Sequence, residues 1–485
     1  MRGEPVGKGF IGGQYRPLSE ADVQRIHEAS LTVLERTGVK VELAEALELF
    51  RSAGAEVDGN IVRIPRALVE DAVDRAPSRV VLCGREEKHD LVLEDRRVYL
   101  GTGGAALTVV DLDTQEARPA RLQDVADIAR LVDALENIHF YLRPVVAQDV
   151  PQALLDVNKY YAALTNTTKH VMASAYSVSS AREVIEMASL IAGSEEALRE
   201  RPIISFITSW MISPLHFATE TTQVLAEVVR RRIPVVLGSA PMAGSTSPVT
   251  LAGTLVQINA EELAGVVFAQ LLSPGAPLLY GAVPSMADMR TGSYVGGGVE
   301  FGMLNAAAAQ LAQFYELPLY NSAGLTDSKE PDIQAGYEKA FSVLQAALVG
   351  ANFIHHAAGM LESMRAVAYE QYVIDNEILG MAMRAVRGIE VNDETLAVEV
   401  IDRVGPGGHF LAEKHTIRHM RSEYFYPSIA DRRSREEWQI TGALDARERA
   451  RQRAKEILST HRPQPIPPEI DVRIRERFRI LSGSQ

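Results

Sequence analysis

The stretch Ile203-Ile204-Ser205-Phe206-Ile207-Thr208-Ser209-Trp210, followed after a helical span at 217–230 by Ile233-Pro234-Val235-Val236-Leu237-Gly238-Ser239-Ala240, decides the fold. Each run has strand length and carries apolar residues on both of its alternating faces. A strand that is apolar on both sides belongs in a parallel sheet covered on both faces, and the intervening helix is the crossover that such a sheet requires.

Working outward, the same rhythm appears on either side. Strand-like runs lie at 139–147, 170–177, 277–284, 317–325 and 352–360, with a weaker eighth candidate at 365–369. Helical stretches alternate with them at 154–164, 182–191, 251–272, 298–315 and 333–349. A doubly wound sheet would carry a glycine-rich phosphate turn after its first strand, whereas that strand leads here into Gln148-Asp149-Val150-Pro151. Eight repeats over roughly 250 residues match a TIM (β/α)8 barrel. The expected fold is therefore α/β, a barrel over 136–390 with an α+β N-terminal extension over 1–135 and a polar, partly helical C-terminal tail over 391–485. The weak point is the seventh helix, because only Leu361-Glu362-Ser363-Met364 separates the last two strands. In the extension, Ser19 and Asp22 form a capping-box pattern that begins a helix running to Thr37, and Gly38 stops it.

The chain has 485 residues and a formal net charge of −13. Acidic balance argues against a nucleic acid or an anionic membrane as partner, since both need a basic surface. No apolar leader and no run of about 18 apolar residues is visible, so a cytoplasmic location is expected. The single cysteine, Cys83, cannot form an internal disulfide. His409, His415 and His419 read as structural or interfacial rather than as a zinc site, and no metal is expected.

Reacting groups in such barrels come from the C-terminal strand ends and the loops after them. The most informative segment runs Asn321-Ser322-Ala323-Gly324-Leu325-Thr326-Asp327-Ser328-Lys329-Glu330-Pro331-Asp332-Ile333-Gln334-Ala335-Gly336-Tyr337-Glu338-Lys339. A strand passes through a polar loop into a helix, and Asp327 reads either as a group at the barrel mouth or as a helix cap. The adjacent His355 and His356 lie within a strand, so their rings should point to opposite sides. Gly296-Gly297-Gly298 precedes a helix and suits a phosphate cradle or a mobile lip.

The same segment resembles the sixth-strand loop of the trimethylamine methyltransferase family. Three further segments are similar to that family in the same order. They are Gly101-Thr102-Gly103-Gly104 with Ala117-Arg118-Pro119-Ala120, Gly359-Met360-Leu361-Glu362-Ser363 with Tyr369-Glu370-Gln371, and Gly405-Pro406-Gly407-Gly408-His409-Phe410-Leu411 with Trp438. The likeness runs from about Tyr15 to Ile457. It implies a TIM barrel that moves a methyl group from a methylated amine to the Co(I) of a corrinoid (cobalamin) carried by a separate corrinoid protein. Archetypal members carry pyrrolysine, at a position corresponding to the loop near Leu325 to Asp327. This chain has only standard residues, which points to the branch that demethylates quaternary amines such as glycine betaine, proline betaine or carnitine.

A quaternary ammonium has a neutral amine as leaving group, so most of the catalysis is positioning. Its cation calls for aromatic faces and a carboxylate. Candidates for the reaction are Asp327, His356, Glu362 and Glu370. Candidates for substrate binding are Trp210, Tyr176, Tyr294, His355, Leu325, Thr326 and Arg365, the last for a substrate carboxylate. Trp210 reads equally as a core residue, and each carboxylate equally as part of an ion pair. A homo-oligomer is expected from the tail. The competing readings are a barrel lyase or hydrolase using a carboxylate–histidine pair, and a non-catalytic betaine-binding protein.

Overall fold

The computed structural model describes residues 10–481. Eight strands form its parallel framework: β1 Arg97–Leu100, β2 Phe140–Leu142, β3 His170–Ala173, β4 Ile204–Thr208, β5 Val235–Ser239, β6 Leu278–Ala282, β7 Tyr320–Ser322 and β8 Phe353–His355. Each is followed by a helix: α1 Leu122–Ala134, α2 Gln152–Leu164, α3 Val178–Ala192, α4 Thr219–Arg230, α5 Leu251–Leu272, α6 Val299–Phe314, α7 Ile333–Val349 and α8 Tyr369–Arg387. The architecture is α/β.

The strands lie in two hydrogen-bonded sheets. One runs β2-β3-β4-β5-β6, all parallel, with Val171 opposite Ile204, Phe206 opposite Val235 and Leu237 opposite Tyr280. The other joins β1, β8 and β7 in parallel, with Phe10–Ile11 antiparallel on its edge. Single parallel bridges link the edges, Gly101 to Phe140 and Tyr280 to Leu319.

Two expectations need correction. The run at 365–369 is not the eighth parallel strand. Ala366–Ala368 instead pairs with Thr108–Val110 and Met360–Leu361 in a separate small sheet. The position beside β8 is filled by β1, which lies within the stretch read as an N-terminal extension. Arg97-Val98-Tyr99-Leu100 is short and sits among hairpins, so its sequence offers no sign of a partner more than 250 residues away. With β1 in that place the missing seventh helix disappears, because β8 is followed by α8.

The strands' inward side chains make an apolar cluster that includes Tyr99, Phe140, Met172, Val236, Leu279, Tyr320 and Phe353. The Phe140 and Phe353 rings stack with centroids 3.5 Å apart. The hairpin Val80–Leu82 with Leu91–Leu93 adds its leucines to the same cluster, and Cys83 is buried beside it. Helix α5 is long and apolar enough to cross a membrane but is mostly buried in the fold. Ser19 caps the helix Glu20–Arg36 with the expected capping box. From Ile389 to Ile440 the tail is largely exposed, and the helix Ala446–Thr460 returns it to the main body against α8 and α1.

Candidate functional site

A cavity of about 500 Å3 opens where the C-terminal ends of the parallel strands converge. The chain supplies its polar lining at the residues where extended structure ends: Arg143 after β2, Ser174 after β3, Ser209 after β4, Ser239 at the end of β5, and His355 with His356 at the end of β8. Tyr294, Tyr320, Met211, Met242 and Met364 add aromatic and thioether surface. No aspartate or glutamate is among the described lining residues. A larger cavity of about 730 Å3 lies near the opposite end, around Lys169, the residue before β3. There the Lys169 ammonium donates to the carbonyls of Val132, Leu135 and Ile138, at 2.7, 2.8 and 2.6 Å, which anchors the end of α1.

The histidine pair departs from strand alternation. His356 has φ +62°, so the backbone leaves the extended region and both rings reach the cavity, with centroids 3.8 Å apart. The expectation of opposite faces fails for that reason. His355 also stacks on Tyr320 at 4.0 Å. His356 Nδ1 lies 2.8 Å from the Ser322 hydroxyl. Burial pushes His356 down to about 3, with the Lys339 charge adding to it, and takes His355 well below the usual imidazole range. Both rings are neutral at physiological pH. The Gly101-Thr102-Gly103-Gly104 segment packs directly on them. A Cβ at Gly103 would stand 3.0 Å from His355 Nδ1, and one at Gly104, where φ is +123°, would stand 2.7 Å from the Met360 sulfur.

Of the candidates for substrate binding, the structure brings Tyr294 and His355 into the lining, and of those for the reaction, His356. The others lie elsewhere. The Asp327 carboxylate accepts the amides of Gly296 at 2.9 Å and Gly297 at 3.2 Å and the Ser363 hydroxyl, so it ties three loops together. The glycine run thus holds a carboxylate of its own chain. Thr326 is buried and donates to Glu338 at 2.6 Å, while Leu325 is a core residue. Glu362 is half-buried and heads three consecutive residues of positive φ, with Ser363 and Met364. Glu370 is fully buried and faces Arg447 of the tail at 3.4 Å. Arg365 is exposed. Trp210 is buried against Phe217, and a Cβ at Gly265 would overlap its ring. Tyr176 is exposed, with the Lys159 ammonium over its ring. In the tail, His415 and His419 contact Glu394, and no group of three or more metal-ligating residues occurs among the described residues.

The sequence reading missed Arg143. Running the second strand from 139 to 147 places Arg143 in mid-strand. The strand in fact stops at Leu142, and Pro144, which cannot donate to a ladder, marks the end. Behind Ser239, the buried Glu261 accepts from the Ser239 hydroxyl, from Ser213 at 2.8 Å and from the Leu215 amide at 3.0 Å, and burial raises its pKa above the usual carboxylate range.

Comparison with known proteins gives a consistent picture over nearly the full length. The family model for trimethylamine methyltransferase (MTTB) matches residues 11–479. Trimethylamine methyltransferase MttB of Desulfitobacterium hafniense (strain DSM 10664 / DCB-2) is 42% identical over 460 residues, covering 94% of this chain and 92% of the relative. Glycine betaine methyltransferase of Desulfitobacterium hafniense (strain Y51) is 35% identical over 463 residues, covering 95% and 96%. Among solved structures, the monomethylamine methyltransferase MtmB of Methanosarcina barkeri matches with a TM-score of 0.49 at 13% identity, covering 94% of this chain and 96% of that one.

Proposed function

This chain belongs to the trimethylamine methyltransferase family, and from that premise we propose that it takes a methyl group from a quaternary or tertiary methylated amine, such as a betaine, and delivers it to the Co(I) of a corrinoid carried by a separate protein. The observation that carries this reading is the cavity at the converging strand ends, lined by Tyr294, Tyr320, neutral histidines and methionines. Aromatic faces and thioethers attract methylated ammonium groups without a hydrogen-bond donor that would demand a lone pair.

We read the two parallel sheets as one (β/α)8 barrel. The support is the pair of bridges Gly101–Phe140 and Tyr280–Leu319, which join the sheet edges, and the eight helices in alternation. The cavity volume suits a small substrate and leaves the macrocycle to the partner. The reduced corrinoid supplies the nucleophile. The chain's own residues hold the ammonium, present one methyl to the cavity mouth and keep water out, while the C–N electron pair stays on nitrogen and a neutral amine leaves. His355, His356 and Tyr294 are the contacts assigned to the substrate. Asp327, Glu362 and Glu370 are assigned positioning roles in loops and tail.

The lyase or hydrolase alternative needs a carboxylate beside a cavity histidine, and the described lining has none. The tail is read as a subunit contact because Ile389, Leu411 and Ile440 are exposed. Light scattering on the intact chain and on one ending after α8 tests that assignment.

The function is tested by mixing the protein with reduced cobalamin and, separately, trimethylamine, glycine betaine, proline betaine, carnitine and choline. Loss of the Co(I) absorbance with one of these amines supports the reading. Silence with all of them, under conditions where the glycine betaine methyltransferase is active, would defeat it.

A further inference from the structure

We propose that Arg143, with His355 in the same cavity, forms an anion subsite that selects a methylated amine bearing a carboxylate. The inference deepens the methyl-transfer reading and rests on it for the identity of the cavity.

Arg143 is 8% exposed and lines the cavity. Its backbone is fixed by the hydrogen bond that its N–H donates to the Met172 carbonyl at 3.0 Å. Its side chain forms no ion pair and donates no hydrogen bond among the described residues, and its Nε is buried without a partner. The other buried cations among the described residues are satisfied. Lys159 meets Asp156, Lys339 meets Asp375, and Lys169 has three carbonyls. Asp156 is committed to Lys159, the Ser180 hydroxyl and the Tyr176 amide, so it is not free to serve Arg143.

A guanidinium keeps its charge in any protein environment, and leaving it buried and unpaired is costly. A carboxylate received in its planar fork would remove that cost through two parallel charge-assisted hydrogen bonds. His355 is the second orphan. Both ring nitrogens are buried without partners, and in its neutral state one of them carries a proton to donate. An unpaired guanidinium and an imidazole without a hydrogen-bond partner, both in the lining of a cavity without carboxylates, describe a site for an anion.

The same charge argues against a bare cation. A substrate with only an ammonium would enter beside an uncompensated arginine. A zwitterion neutralises Arg143 with its carboxylate and rests its methylated nitrogen on the aromatic and thioether side of the cavity. One end of the substrate is thereby fixed, which orients the methyl groups at the other.

The experiment is calorimetric titration of the whole protein, wild type and Arg143→Gln, with two sets of probes. The first set is glycine betaine, proline betaine and carnitine. The second is choline, tetramethylammonium and trimethylamine, which carry no carboxylate. Thermal melting of both proteins checks that the variant folds. At least one carboxylated probe should bind wild type at least about thirtyfold tighter than every probe of the second set, the lower range for truncating one partner of a buried charge pair. Arg143→Gln should abolish that preference, weakening the carboxylated probe while choline binding holds or tightens. Equal binding of both sets, binding of neither, or a preference that survives in Arg143→Gln overturns the subsite. Should Arg143→Gln unfold, Arg143→Lys, which keeps the charge and loses the fork, should narrow the preference, and an unchanged preference there overturns the subsite as well. Binding is read without corrinoid, so a carboxylate preference with no methyl transfer would defeat the proposed reaction and leave the subsite standing. Methyl transfer from trimethylamine that is indifferent to Arg143 would do the reverse.

Discussion

The Lys339 ammonium stands 3.2 Å from the Asp375 carboxylate, and both side chains are wholly buried. Lys339 also donates to the carbonyls of Gly324 and Met360, and Asp375 accepts the Gly359 amide at 2.7 Å and Gln371 at 2.8 Å. This pair clamps α7 and α8 to the loops that leave β7 and β8, directly behind the two cavity histidines.

Removing one partner of that pair strands a buried charge. Lys339→Met should destabilise the protein by about 3–5 kcal/mol, and the double substitution Lys339→Met with Asp375→Leu should recover a large part of it. Urea unfolding of the two variants checks this, and equal losses in both would show that packing, not charge, is at stake.

Asp327 gathers Gly296, Gly297 and Ser363, and Tyr294 of the cavity lies two residues before the first of these. Asp327→Ala should therefore cost about 1–3 kcal/mol of stability and lower kcat/KM for methyl transfer by roughly tenfold, mainly through KM. A group that took part in proton transfer would cost about 10²–10⁴ in kcat. Steady-state kinetics separates the two.

Trp210 is fully buried against Phe217 and α5. Trp210→Phe is expected to lower stability by about 1–3 kcal/mol through lost packing while KM for the amine stays within about twofold. A KM rise of tenfold or more in a folded variant would return Trp210 to the substrate.

Stability should fall as the solution is acidified. His170 is buried and His139 is half-buried, and desolvation holds each down to about 4, against about 6.5 in an unfolded chain. Between those values the unfolded state binds more protons, so the stabilisation is complete above about pH 6.5 and is lost on going down toward pH 4. The slope is about 1.4 kcal/mol per pH unit for each histidine. Unfolding free energies at about pH 7, 6 and 5 measure it, and His170→Gln should reduce the slope by roughly one histidine's share. A flat profile would mean that these rings remain solvated.

The βα alternation, the helices and the family were legible in the residues. Helix 251–272 was placed to the residue, because its limits depend on neighbouring positions. The family segments were legible for the same reason: each is a short contiguous pattern. Tertiary structure decided what depends on distant partners. β1 joins β8 across more than 250 residues, and nothing in Arg97-Val98-Tyr99-Leu100 encodes that neighbour. The positive φ of His356 brings two rings to one side where strand period alone sends them apart. Asp327 and Glu370 kept their chemistry in the sequence, but which groups would use up their oxygens was set by loops and a tail far along the chain. Conversely, Arg143 is notable for the partner it lacks. A sequence lists which charges exist, and only the folded chain shows which of them have been neutralised, because pairing depends on a few ångströms of separation that no local pattern specifies.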